Sequence, residues 1–176
     1  MAEKISTPLA KKKAEQLRAG EEVLISGIIY SARDMAHKRL TETIARSEPL
    51  PIDLEGQIIY FVGPSPASPG RPAGSAGPTT SSRMDPFSPI LLDNGLAGMI
   101  GKGYRGDAVI NFLIKNKAVH FSAVGGAGAL LSKSIVKSEV VAYHDLGPEA
   151  IRRLEVLDFP AVVAYDSRGA SIYERK

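Results

Sequence analysis

Four short stretches of this sequence put charge-bearing or proton-carrying side chains where a ligand could meet them. Arg33-Asp34-Met35-Ala36-His37 follows the apolar run VLISGIIY (23–30), which reads as a strand. Sites in α/β folds gather at the carboxyl ends of strands. An arginine placed there can grip a carboxylate with its bidentate fork. The same residues also describe a solvated helix start with Asp34 favouring the helix dipole, and spacing alone favours that account. In the second stretch, Gly77-Pro78 precedes Thr79-Thr80-Ser81-Ser82, with Arg83 one helical turn beyond Thr79. Glycine and proline shape a turn, and hydroxyls offer donors and proton-transfer groups. A helix starting near Thr80 would add free N–H groups for an anion. A Ser/Thr-rich helix cap fits these residues equally well. Gly101-Lys102-Gly103 offers a cation between two glycines that admit a ligand close to the backbone. It lacks the GxxxxGK[ST] spacing of a P-loop, and an ordinary turn lysine explains it. In Val124-Gly125-Gly126-Ala127-Gly128-Ala129 the glycines miss the GxGxxG spacing. Close helix–strand packing is the better explanation than a dinucleotide loop.

What the chain lacks narrows the chemistry further. It has no cysteine, which excludes a thiolate nucleophile, a disulfide and a cluster held by its own thiolates. Its histidines are His37, His120 and His144. They share no metal-ligand spacing, so no metal site is expected. His120 and His144 lie in strand-like runs and read as structural, whereas His37 shares a predicted helix with Arg33. A net charge of +3 suits an anionic substrate or an acidic partner surface. With few aromatics and no basic–aromatic interleaving, nucleic acid is not expected as a partner. The apolar fraction of 44% implies a globular chain. No apolar run is long enough for a bilayer, and the N-terminal residues show no signal-peptide core. No membrane partner and a cytoplasmic setting are therefore expected.

The elements that must position these residues follow from periodicity. A helix is predicted over 7–19, with Thr7 as its cap and Pro8 in its first turn. A strand over 23–30 leads into a helix through ARDMAHKRLTETIAR, and QIIYFVG (57–63) is a second strand. Residues 64–83 are dense in Pro, Gly, Ser and Ala. The pieces on either side are short for independent domains, so this stretch reads as an active-site loop and not a linker. Beyond it the pattern gives a helix in MDPFSPILLDNG, a strand in AGMIGKG, a helix in YRGDAVINFLIKNK and a strand in AVHFSAVGG. A short helix AGALLSKSI, a strand SEVVAYHDL, a helix GPEAIRRLEVLDF and a final hairpin PAVVAYDSRGASIYE complete it. The alternation implies one α/β domain over 1–176.

Taken in order, SARDMAHKR, FVGPSP, GPTTSSRMD, GMIGKG, VGGAGALLSKSI and LGPEAIRRLEVLDFPAVVAYDSRG cover nearly the whole chain. Together they resemble the C-terminal domain, or β subunit, of class I fumarases and L-tartrate dehydratases. The resemblance implies a swivelling β/β/α-type single domain. It implies a hydro-lyase that reversibly adds water to a dicarboxylic alkene, as in fumarate to malate. It further implies a hetero-oligomer in which a cysteine-containing α subunit carries a 4Fe–4S cluster, with no cofactor bound by this chain. Carried over by motif, Arg33 would grip one carboxylate of the substrate and Arg83 the other carboxylate region. Lys102 would complete the clamp, Thr79 would be the catalytic base, and His37 and Thr80 would support them. Ser82 departs from the pattern, standing where many relatives carry glycine. Fixed cations aimed at a carboxylate that gains charge stabilise the transition state more than the ground state. A threonine needs a neighbouring cation, an acidic partner or a relay to act as a base. A non-enzymatic anion-binding module and a weak RNA-binding domain are the rival readings.

Overall fold

β-Branched runs form the frame of the molecule. Among the residues that the computed structural model describes, 2–123 and 128–173, seven strands make one sheet in the order β1-β2-β3-β4-β5-β7-β6. They are β1 (Glu3–Ser6), β2 (Glu22–Ser31), β3 (Ile58–Tyr60), β4 (Gly98–Gly101), β5 (Val119–Ser122), β6 (Ile135–Ala142) and β7 (Ile151–Tyr165). The pairs β1–β2, β2–β3, β3–β4 and β4–β5 are parallel. β7 runs antiparallel to β2, β5 and β6. Because β7 pairs with both β2 and β5, the strands β2, β3, β4, β5 and β7 close into a ring, and closure removes exposed edges. This is a mixed α/β domain with a barrel-like sheet, in agreement with the expected class. Residues 124–127 of the glycine-rich turn lie outside the described residues.

Helices α1 (Lys11–Gln16), α2 (Asp34–Ala45), α3 (Ser88–Asp93), α4 (Asp107–Asn116) and α5 (Gly128–Leu131) connect the strands. The central strands are apolar on both faces because both faces are covered. In β3, Ile58 and Tyr60 join a cluster with Ile25, Ile100, Phe121, Leu154 and Phe159. Ile59 and the adjoining Phe61 turn to a second cluster, with Leu40 of α2, Leu91 of α3 and Leu113 of α4. α2 buries Ala36, His37, Leu40 and Thr41, a stripe at helical spacing. Among the described residues, no helix is long and apolar enough to cross a membrane.

Three segments depart from the sequence reading. The helix expected over 7–19 survives only as Lys11–Gln16, and its cap residue is Ala10. Thr7 is drawn into the sheet instead, its N–H bonding the Ser26 carbonyl at 3.1 Å. Of the helix expected in GPEAIRRLEVLDF, residues 147–149 end a 3-10 turn, His144–Glu149, which also takes the end of the expected strand SEVVAYHDL, and 151–159 are the first part of the 15-residue strand β7. Ile151 and Leu154 are spaced as on a helix face, and Leu154 and Val156 as on a strand face. The decision comes from tertiary pairing: β7 is bonded to β2 along one edge and to β6 and then β5 along the other. Among the described residues, which leave out 174–176, the expected final hairpin reduces to a turn closed by a single Tyr165–Ser171 bridge. Asp166 Oδ1 caps that turn by accepting from the N–H groups of Arg168 and Ala170.

The irregular 64–83 stretch has two characters. Residues 65–72 are exposed, whereas Ala73 and Ala76 are buried. The Tyr60 hydroxyl donates to the Ala76 carbonyl, and Ser65 N–H bonds Ser75 O at 3.0 Å. The end of the stretch is therefore tied to the core, and a 3-10 turn, Ser81–Met84, follows.

The strand assignment of β7 makes a sharp stability prediction. Leu154 is fully buried, whereas Leu157 is 60% exposed, although three residues apart they would share one helix face. Leu154→Ala should lower unfolding free energy by about 2–5 kcal/mol in urea denaturation. Leu157→Ala should change it by less than about 0.5 kcal/mol.

Candidate functional site

The sequence candidates come together where parallel strands end. β3 and β4 are bonded through Phe61 N–H to Ile100 O at 2.8 Å and then diverge. Residues 79–81 enter the gap as a wedge. Thr79 N–H donates to Phe61 O at 2.7 Å, and Lys102 N–H donates to Thr79 O at 3.3 Å. Ser81 N–H donates to Lys102 O at 2.8 Å, and Thr80 forms a parallel bridge with Lys102. Thr79 and Lys102 are thus placed side by side by main-chain bonds. Thr79 is half-buried, while Thr80 and Lys102 are exposed. Gly101 is required here by close approach, since a Cβ would collide with Ser81 Oγ.

The arginines meet beside this wedge. Ala32 N–H bonds Tyr60 O at 3.0 Å, which carries the chain off the end of β2 and makes Arg33 the N-cap residue of α2. The Arg33 side chain crosses Gly63, where a Cβ would lie 3.0 Å from its Cδ. Arg83, on the 3-10 turn, directs Nε and Nη2 to Asp34 Oδ2, each at 3.0 Å. Asp34 Oδ1 lies 3.8 Å from Arg33 Nε. Asp34 therefore stands between the two candidate carboxylate-binding arginines, a contact that single-sequence spacing could not disclose. Arg83 remains half-exposed at 51%, so its ion pair with Asp34 contributes about 1 kcal/mol or less.

His37 is on the inner face of α2 and is fully buried. Its backbone N–H and its Nδ1 both reach the Arg33 carbonyl, at 2.9 and 2.8 Å. A carbonyl only accepts, so Nδ1 carries the ring proton. The ring packs edge-on to Phe61, with centroids 5.2 Å apart. Burial is the main cause that pushes His37 down to about 4, partly opposed by the hydrogen bond to Arg33. Its observed role is to hold the residue before α2 in place.

A second polar cluster lies under the wedge. Arg105 is 5% exposed and sends Nε to Asp85 Oδ1 at 2.7 Å. Its Nη1 reaches Met99 Sδ at 3.3 Å and His120 Nδ1 at 3.2 Å, and its Nη2 reaches Ser88 Oγ. His120 Nε2 contacts Ser81 Oγ at 3.2 Å. The sequence reading did not single out Arg105, gave Asp85 no role although it ends the GPTTSSRMD motif, and treated His120 only as structural. Residues 85, 105 and 120 have no shared motif, and only the fold brings them together.

The candidate residues lie on an accessible surface, with Thr80, Arg83 and Lys102 exposed and Thr79 half-buried. The larger cavities, about 520 and 590 Å³, are lined by other residues. The first lies near Leu9, Gly56 and Lys117, at the opposite ends of β3 and β5. Among the described residues, no group of three or more His, Cys, Asp or Glu is placed to hold a metal ion. The chain has no cysteine, so its donor set does not fit an iron–sulfur cluster.

Comparison with known proteins finds relatives over most of the chain. The Fumarase C-terminus family matches residues 3–176. A class I anaerobic fumarate hydratase of Escherichia coli is 37% identical over 153 residues, 86% of this chain and 28% of the relative. Fumarate hydratase 2 of Leishmania major is 32% identical over 167 residues, 94% of this chain and 29% of the relative. A Methanocaldococcus jannaschii protein, provisionally named an L(+)-tartrate dehydratase subunit beta, is 39% identical over 173 residues. That match covers 94% of this chain and 88% of the relative. The chain thus spans under a third of these two fumarate hydratases and most of the tartrate dehydratase subunit.

The buried neutral His37 has a measurable consequence. Above pH 6.5 it carries no charge in either the folded or the unfolded state. Between 6.5 and about 4 the unfolded chain takes up a proton that the folded chain refuses, so stability falls with pH. Below about 4 both states hold the proton and the loss levels off. The full effect is on the order of 3 kcal/mol. Urea midpoints measured at pH 7.5 and 4.5 should converge in His37→Gln relative to the wild type.

Proposed function

Since the chain belongs to the Fumarase C-terminus family, we propose that it is the β-type half of a two-part hydro-lyase site. In this reading it interconverts fumarate and malate only when joined to a partner chain. The observation that supports this most is the meeting of Arg33, Asp34, Arg83, Thr79 and Lys102 at the carboxyl ends of β2, β3 and β4. Three cations and one carboxylate leave two net positive charges, the complement of a dicarboxylate dianion. The 4Fe–4S cluster of the partner would supply Lewis-acid chemistry at the hydroxyl. Nothing in this chain could ligate that cluster, and no step below passes through it.

Each residue then has a defined task. Arg33 and Arg83 bind the carboxylates, with Asp34 holding their guanidinium groups until substrate enters. Lys102 presents its ammonium beside the same surface. Removing the proton next to a carboxylate builds charge on that carboxylate, and cations fixed nearby stabilise it. Thr79 is the candidate proton acceptor, with Lys102 the cation that its weak basicity requires. Thr80, exposed on the same wedge, and His37, behind Arg33, support the arrangement. The close coverage of the M. jannaschii relative favours tartrate as a second substrate to be assayed.

Anaerobic reconstitution with a cluster-bearing partner, followed by assays on fumarate, malate and L-tartrate, tests the proposal. The isolated chain should be inactive and the complex active. Absence of turnover on all three acids in a cluster-loaded complex overturns it. In the active complex Thr79→Val should lower kcat roughly 10²- to 10⁴-fold, the range for a positioned acid–base group. Arg83→Lys keeps the charge but loses the planar fork, and should weaken kcat/KM by about 2–3 kcal/mol.

A further inference from the structure

Burying a guanidinium is unfavourable unless its N–H groups are met. Arg105 is nevertheless buried directly beneath the Thr79–Arg83 segment. A guanidinium has donors only, so His120 Nδ1, 3.2 Å from Nη1, must be the acceptor. Burial, and then the neighbouring Arg105 charge, hold the His120 ring neutral. Its single proton is therefore on Nε2 and is donated to Ser81 Oγ at 3.2 Å. Ser81 occupies the space left by the missing side chain of Gly101, and its N–H is bonded to Lys102 O at 2.8 Å. Arg105 also fixes the far end of the segment. Asp85 accepts from Arg105 Nε through Oδ1 and from Gly106 N–H through Oδ2, at 2.7 and 2.8 Å.

We propose that Arg105 and His120 are positioning residues for the site. Arg105 sets the His120 tautomer, and His120 Nε2–H holds Ser81, so that Thr79, Arg83 and Lys102 keep one register before substrate or partner arrives. Neither residue touches the substrate surface. Their catalytic meaning rests on the hydro-lyase reading, but the local geometry does not. A network that merely stabilised the core would lower the thermal midpoint and leave turnover per folded molecule unchanged.

Two measurements separate these outcomes. In the full chain, ¹⁵N NMR of the imidazole should show His120 protonated at Nε2 alone between pH 5 and 8. Protonation at Nδ1 overturns the relay. Amide hydrogen exchange should show Ser81 N–H losing more protection in Ser81→Ala and His120→Leu than the global loss of stability explains. Uniform loss across all amides overturns the positioning role. These readouts stand even if the complex proves inactive, which would count against the hydro-lyase reading alone. In the active complex, each variant should lower kcat roughly ten- to hundredfold, as expected for a misplaced reacting group, with KM nearly unchanged. The double variant should be no worse than the more damaging single one, because both break the same contact. His120→Gln, which keeps a donor near the Nε2 position, should recover most of the rate. Wild-type kcat in folded, assembled Ser81→Ala also overturns the proposal.

Discussion

The buried Arg105 guanidinium is the constraint on which this face of the molecule depends. A cation removed from water needs both a counter-charge and an acceptor for its N–H groups. Those partners come from separate elements: Asp85 and Ser88 beyond the wedge, Met99 on β4 and His120 on β5. Meeting them brings the paired positions Met99 and His120 within two adjacent strands and the start of α3 to one point. Loss of one partner from a buried ion pair commonly costs about 3–5 kcal/mol, more than an exposed pair contributes. The demands of one side chain therefore fix the relative placement of several elements. The Phe61 ring, 5.3 Å from the guanidinium, closes the cluster on another side.

Much of the frame is legible in the sequence because it is local. The run IIYF is apolar at every position, as a strand covered on both faces must be, and LISGIIY is rich in β-branched residues. The amphipathic stripe of α2 is equally plain. β7 is not, because Ile151 and Leu154 are spaced as on a helix, Leu154 and Val156 as on a strand, and only the pairing partners choose between them. The first helix is overestimated because Thr7 and Pro8 resemble a cap and a first turn. The open edge of β2 captures that segment as a strand extension, which no local pattern records.

The candidate site divides in the same way. Arg33, Thr79, Arg83 and Lys102 follow from a resemblance carried by ordered motifs, and the fold brings them to one edge. Asp34 was visible as a charged first-turn residue, but its place between two arginines depends on a contact with Arg83, 49 residues away. Arg105 and His120 carry no local signal at all. Their neighbours in sequence say nothing of burial, and their chemistry arises only from who surrounds them.

The two halves of the site differ in how they are held. Thr79 and Lys102 are fixed through main-chain hydrogen bonds continuous with the sheet, whereas Arg83 is held by an exposed ion pair at the tip of a long side chain. Mechanically, one wall is stiff and the other compliant. In the proposed dicarboxylate site, a compliant cationic wall would follow carboxylates through small changes in separation and tilt and would discriminate weakly between acids of the same length. Selectivity would then fall to the stiff wall, where a hydroxyl more or less on the substrate would alter the fit. Divergence between substrates in such a domain needs few changes among its arginines, and the residues around the wedge are where such changes would concentrate.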